Sequence, residues 1–176
     1  MPLPVTYHRR MTAPTIRKSA RPNAEQLAAW RMFLRAHASL TRRLEADLLL
    51  EHQLPLASYD VLVQLVEAPQ RRLRMTELAD KVLLSRSGLT RLVDRLEREG
   101  LVRREACETD ARGLFAVLTD EGFDRLRTAA PTHLRGIEDY VVSRLDDAEL
   151  AALGALLGRL LPDGADEGTC GEELSA

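Results

Sequence analysis

Between Arg72 and Leu118 the hydrophobic pattern changes twice, and few folds accommodate that order of changes. Thr76 is placed to cap a short helix whose inner positions are Leu78, Ala79 and Val82. Leu83-Leu84 forms a tight connection, and Ser85 or Ser87 caps a second helix. There Leu89, Leu92, Val93 and Leu96 recur at three- and four-residue steps, the spacing of one buried helical stripe. Gly100 stands where a helix C-terminal cap is expected. Two strands follow, Leu101 to Glu105 and Leu114 to Leu118, around a polar tip spanning residues 106–113. Arg86, Thr90, Arg91, Arg95 and Arg98 lie off the inner stripe, so the second helix turns basic residues outward.

The flanks are helical. From Ala24 to Glu51, Leu27, Trp30, Leu34, His37, Thr41, Leu44 and Leu48 fall on one stripe, widened by Phe33, Ala36 and Leu40. A helix of that length exceeds what its own small domain can cover, which predicts packing against a second chain, with Leu27 and Leu34 at the interface. Leu54-Pro55-Leu56 breaks it, and Ser58 is placed to cap a helix running from Tyr59 to Glu67, with Leu62, Leu65 and Val66 buried. Thr119 opens a helix reaching about Leu145, with Phe123, Leu126, Leu134, Ile137 and Val141 inside and a kink at Pro131. Asp146 and Glu149 form a capping-box pattern for a last helix from Ala148 to Leu161. Leucines at 150, 153, 156, 157, 160 and 161 surround that helix, so Leu153, Leu156, Leu157 and Leu160 need a partner surface.

The fold class that satisfies these patterns is mainly α with a small β-hairpin wing. A winged helix-turn-helix lobe occupies 53–119, and a helical dimerisation region is built from 23–52 and 120–162. Residues 1–22 form a flexible basic leader, read either as a bare disordered segment or as an arm that touches phosphates or the partner subunit; residues 163–176 form a disordered acidic tail. Aromatics make up only 4% of the chain, which fits helices better than a β-sandwich.

The formal net charge of -2 hides an asymmetry: 20 Lys/Arg against 14 Asp/Glu in residues 1–112, and 5 against 13 thereafter. A basic half next to an acidic half suits a polyanionic partner. Cys107 and Cys170 do not make a disulfide framework, and His8, His37, His52 and His133 lack metal-ligand spacing. No apolar run approaches the roughly 18 residues of a membrane span, and the N-terminus lacks the apolar core of a secretory signal. The expectation is a cytoplasmic protein without cofactor or metal. No nucleophile–base pair or phosphate loop suggests an enzyme.

A helix fits the DNA major groove with its N-terminal residues nearest the base edges, where hydroxyl and guanidinium groups hydrogen-bond. Ser85, Arg86, Ser87, Thr90 and Arg91 form that set, and Gly88 permits close approach. Arg95 and Arg98 are placed further along for phosphates, Arg98 being equally placed to pair with Asp94. Arg74 joins the DNA-contact set from the extended piece before the first helix. At the tip, Arg112 can reach a minor groove while Asp110 orients it or a strand arginine such as Arg103 or Arg104.

The run from Leu84 to Arg104, with Thr109-Asp110-Ala111-Arg112-Gly113 and Leu118-Thr119-Asp120-Glu121-Gly122, resembles the MarR family of bacterial transcriptional regulators over roughly residues 24–162. The resemblance implies a homodimer with two winged lobes on a palindromic operator in double-stranded DNA. It implies recognition-helix roles for Ser85, Ser87, Thr90, Arg91 and Arg95, and a wing element at Asp110 and Arg112. It also implies control of its own or a neighbouring promoter, with release by a small effector, here expected to be aromatic or phenolic. The crevice between dimer helices and reading lobe makes Trp30, His37, Thr41 and His133 the candidate effector contacts. Two alternatives remain at this stage: a winged-helix interaction module without operator binding, or a redox-responsive regulator acting through Cys107, whose neighbouring arginines favour thiolate.

Overall fold

The computed structural model describes residues 21–82, 84–107 and 110–161, with the backbone alone at 110–112. Nearly all of the expected leader and the whole acidic tail lie outside the described residues, as does Leu83 of the expected turn. The chain divides into two compact units, Met1–Ala36 and His37–Ala176.

In the first unit, helix α1 (Ala24–His52) begins under a reciprocal cap. The Asn23 carboxamide oxygen accepts from the Gln26 amide at 2.9 Å, and the Gln26 side chain accepts from the Asn23 amide at 2.8 Å. Leu27, Trp30, Phe33 and Leu34 are exposed here, with the Trp30 and Phe33 rings stacked 5.8 Å apart.

The second unit carries the rest of α1, whose Leu48 is fully buried. Helix α2 (Leu56–Val66) starts earlier than expected, because its cap comes from elsewhere. The Glu45 carboxylate of α1 accepts from the Leu56 amide at 2.7 Å, and Ser58 is not a cap but a fully buried hydroxyl. Strand β1 (Arg72–Arg74) leads into helix α3 (Met75–Lys81), where the expected Thr76 cap is replaced by Glu77 accepting from the Arg74 amide at 3.3 Å. Helix α4 (Arg86–Arg98) precedes strands β2 (Val102–Cys107) and β3 (Asp110–Leu118).

The sheet is antiparallel in the order β1–β3–β2, with Leu73 and Arg104 both opposite Ala116. Both hairpin strands run further than expected. Ala106 and Cys107, assigned to the tip, continue the ladder opposite Leu114 and Asp110, since strand pairing uses backbone groups. The register shifts between Ala106 and Cys107.

Thr119 caps helix α5 (Asp120–Tyr140), accepting from the Gly122 amide at 3.0 Å and donating to the Gly100 carbonyl at 2.7 Å. A Cβ on Gly122 would sit 2.1 Å from the Leu101 carbonyl oxygen, so the approach of helix to strand requires glycine. The helix ends five residues before the expected Leu145, and Pro131 lies inside it without interrupting it. Of its expected inner residues Leu126 is fully buried, whereas Leu134 is exposed. Helix α6 (Asp147–Gly158) carries the expected capping box of Asp146 and Glu149.

Val61, Leu62 and Leu65 of α2, Leu78 of α3, Leu89, Val93 and Leu96 of α4, and Val102 and Ala116 of the sheet form one core with Leu48 and Leu126. Behind it a polar seam joins α1 to α5. The buried Thr132 hydroxyl donates to Glu51 at 2.8 Å and so must accept from His52 Nε2, also at 2.8 Å, because its single proton is already used. The Tyr140 hydroxyl donates to Asp47 at 2.7 Å.

Candidate nucleic-acid interface

With Leu89, Val93 and Leu96 committed to the core, the opposite side of α4 is determined. Ser85, Arg86, Ser87, Thr90 and Arg91 are all exposed, in positions that share one helical face around the N-terminus. Ser85, extended at φ -63° and ψ 150°, caps the helix by accepting from the Gly88 amide at 3.1 Å, and its hydroxyl lies 3.3 Å from that of Ser87. The Thr90 hydroxyl donates to the Arg86 carbonyl at 2.8 Å, which leaves its oxygen free to accept from a base. Among the described residues neither the Arg86 nor the Arg91 guanidinium is bound to a carboxylate. Two uncommitted cations and three hydroxyls at a helix N-terminus suit hydrogen bonding to base edges and phosphates.

The four other arginines of α4 and β2 all have partners within the chain. Arg95, expected at a phosphate, keeps 39% of its side chain exposed and is also tied inward. Its Nη2 donates to the buried Ser58 hydroxyl at 2.5 Å, and its Nε lies buried 3.8 Å from Glu99. Arg98 donates from Nε to the Asp94 backbone carbonyl at 3.1 Å rather than to its carboxylate. That carboxylate belongs to Arg104, whose two terminal nitrogens bind Asp94 and Glu97 at 2.6 Å each and so fasten strand β2 to α4. Arg103 pairs with Glu105. Both strand arginines thus have carboxylate partners on β2 and α4. The side chains of Asp110 and Arg112 lie outside the described residues, while their backbone belongs to β3.

Between α3, α4 and the wing lies a hollow of about 500 Å³, lined among others by Arg74, Thr76, Thr90, Asp94 and Arg104. Arg74 therefore borders the reading helix, but its Nη2 donates to Cys107 Sγ at 3.3 Å and its guanidinium lies 5.3 Å from the Phe115 ring centre. Cys107 is buried rather than exposed at the tip, and Arg74 donates to its sulfur.

The His133 ring lies 4.4 Å from the Tyr59 ring at a tilt of 37° and lines a crevice of about 210 Å³ with Asp60, Gln64 and Lys81. Trp30, His37 and Thr41 are exposed residues of α1 and are not among its lining. Burial holds the His133 imidazole below its ordinary pKa and therefore neutral. Asp60 is exposed as a residue, but protein crowding around its carboxyl, with the charge of Glu45 adding, raises its pKa to about 6. Among the described residues no cluster of three or more His, Cys, Asp or Glu could hold a metal, and no helix is long and apolar enough to cross a membrane. The leucines expected at a chain–chain interface are all exposed, from 37% at Leu157 to 71% at Leu160.

Sequence reading missed the contacts made at a distance: Glu45 to α2, Ser58 to Arg95, and Arg104 to the acidic side of α4. Only the last leaves a trace, since Asp94 and Glu97 stand three apart on one helical face.

Comparison with known proteins agrees with this geometry. The MarR family model matches residues 52–113. The solved structure of Sco3205, a MarR family transcriptional regulator from Streptomyces coelicolor in complex with DNA, is 40% identical, with a TM-score of 0.76, over 81% of this chain and 96% of that one. AbsC, a MarR family regulator from the same organism, is 36% identical with a TM-score of 0.74, over 81% and 95%. The HTH-type transcriptional regulator MhqR of Bacillus subtilis is 34% identical over 49% of this chain, and the match spans 59% of that relative. At 40% identity over nearly all of a solved family member, with the reading helix and wing in place, the chain belongs to the MarR family of transcriptional regulators.

Proposed function

We propose that the protein is a sequence-specific DNA-binding regulator that acts as a homodimer on a palindromic operator in its own or a neighbouring promoter, as a repressor released by a small aromatic or phenolic effector. The observation that carries this is the exposed face of α4: Ser85, Ser87 and Thr90 with the uncommitted guanidinium groups of Arg86 and Arg91, opposite a face fixed in the core. These groups read base edges, and Arg112 on the wing reaches the adjacent minor groove. The exposed leucines of α1 and α6 supply the dimer contact, which sets the spacing of the two reading helices. The effector enters the crevice bordered by His133, where a neutral imidazole, the Tyr59 ring and Lys81 offer stacking and an anion partner.

A band shift on the chain's own promoter region, titrated with salt and competed with unrelated duplex, tests this reading. A specific, salt-sensitive shift relieved by an aromatic acid supports it. Binding that is absent at all salt concentrations leaves an interaction module instead.

A further inference from the structure

Three elements meet at the first turn of α2. Glu45 of α1 holds the Leu56 amide at 2.7 Å, and two residues on, Ser58 presents a fully buried hydroxyl to Arg95 of α4 at 2.5 Å. Arg95 lies one turn beyond Arg91 on α4, so the bond to Ser58 anchors the reading helix close to its base-facing half. A guanidinium committed to a buried acceptor is a strong, directional tie, stronger than a neutral hydrogen bond.

We infer that Ser58 and Arg95 form a positioning pair for DNA recognition. They fix the rotation and seat of α4 against α2, and through Glu45 they refer that seat to α1. The inference rests on the operator-binding reading above. It assigns a role to Ser58, which touches no DNA, and changes the role of Arg95 from phosphate contact to anchor. The link also gives the dimer helix a short route to the reading helix: two hydrogen bonds and the opening turn of α2.

The two roles of Arg95 make opposite predictions. An anchored Arg95 contributes no counterion release, whereas a phosphate-binding Arg95 in each protomer contributes about 1.8 to the salt slope of a dimer. The experiment measures operator and unrelated-duplex affinity across a salt series for the wild type, Ser58→Ala, Arg95→Gln and the double variant. Circular dichroism melting defines a temperature at which all four are folded. The expected result is a loss of roughly tenfold in operator affinity for each single variant. The double variant is no weaker than either, the salt slope is unchanged, and binding to unrelated duplex is nearly unaffected. If Ser58→Ala binds the operator as the wild type does, or Arg95→Gln flattens the salt slope by about two, the positioning role is overturned while operator binding stands. Failure of the wild type to discriminate the operator would overturn the binding reading, and the inference with it.

Discussion

Arg91 and Arg95 stand one turn apart on α4, the first exposed beside Thr90 and the second reaching inward to Ser58. The difference comes from what lies within reach of each side chain. Beyond Arg91 there is solvent; beside Arg95 is the start of α2, where a buried hydroxyl needs a donor. Arg91→Ala is therefore expected to lower operator affinity and relax base preference, losing about 1–3 kcal/mol of discrimination, as competition against duplexes mutated at single positions would measure. Arg112→Ala is expected to weaken binding to every sequence, with a shallower salt slope, because an arginine in the minor groove acts chiefly through charge. Asp60 makes a prediction in pH. Its folded pKa of about 6 exceeds the ordinary 3.8, so the folded state holds this proton more tightly than the unfolded state. Its contribution to stability is full below the ordinary value and is lost as pH rises towards 6. Asp60→Asn should accordingly raise the melting temperature at pH 7 relative to the wild type and change it little at pH 3.5. An equal shift at both values would assign the effect to packing instead.

At the scale of elements, the tightest junction is where α5 leaves the wing. The Gly122 Cα lies against the Leu101 carbonyl, and an added Cβ would meet backbone that cannot swing aside. Gly122→Ala should cost about 3 kcal/mol, seen as an earlier urea midpoint with an unchanged slope. Elements of this kind are legible in the sequence because their signals are local. The stripe of Leu89, Val93 and Leu96, the cap at Ser85 and the glycine at position 100 mark α4 without reference to the rest of the chain. The Asp146–Glu149 box marks α6 in the same way. Other features rest on contacts between distant segments. Ser58 has the right composition for a helix cap, but Glu45 reaches the helix start first, so α2 begins at Leu56. Cys107 lies in a polar segment and reads as an exposed thiol, yet the strand reaches it and Arg74 donates to its sulfur. Arg95 has the spacing of an outward cation and is diverted by a residue 37 positions earlier. Local periodicity reports which face is buried. Which partner a long polar side chain selects depends on the tertiary neighbourhood.

For the whole molecule, the exposed apolar residues carry the most information. Leu156, Leu157 and Leu160 near the end of the described chain are exposed, and so, in the first unit, are Leu27, Trp30 and Leu34; large apolar side chains left in water mark a surface that a partner covers. Leu156→Glu with Leu160→Glu should convert a dimer into monomers in sedimentation at micromolar concentration while leaving helix content unchanged. Two reading helices held at a set spacing bind a two-fold site far more tightly than one, since the second contact is intramolecular once the first is made. Loss of the dimer should therefore abolish operator binding even though every DNA-facing residue is intact.

The most direct measurement titrates the wild type against three duplexes: the palindromic operator, the same duplex with one half-site scrambled, and one with both scrambled, at a single salt concentration. The predicted result is two protomers per operator, a large loss of affinity on scrambling one half-site, and a fall to the unrelated-duplex level on scrambling both. Equal affinity for all three would contradict base reading by the face of α4 from Ser85 to Arg91.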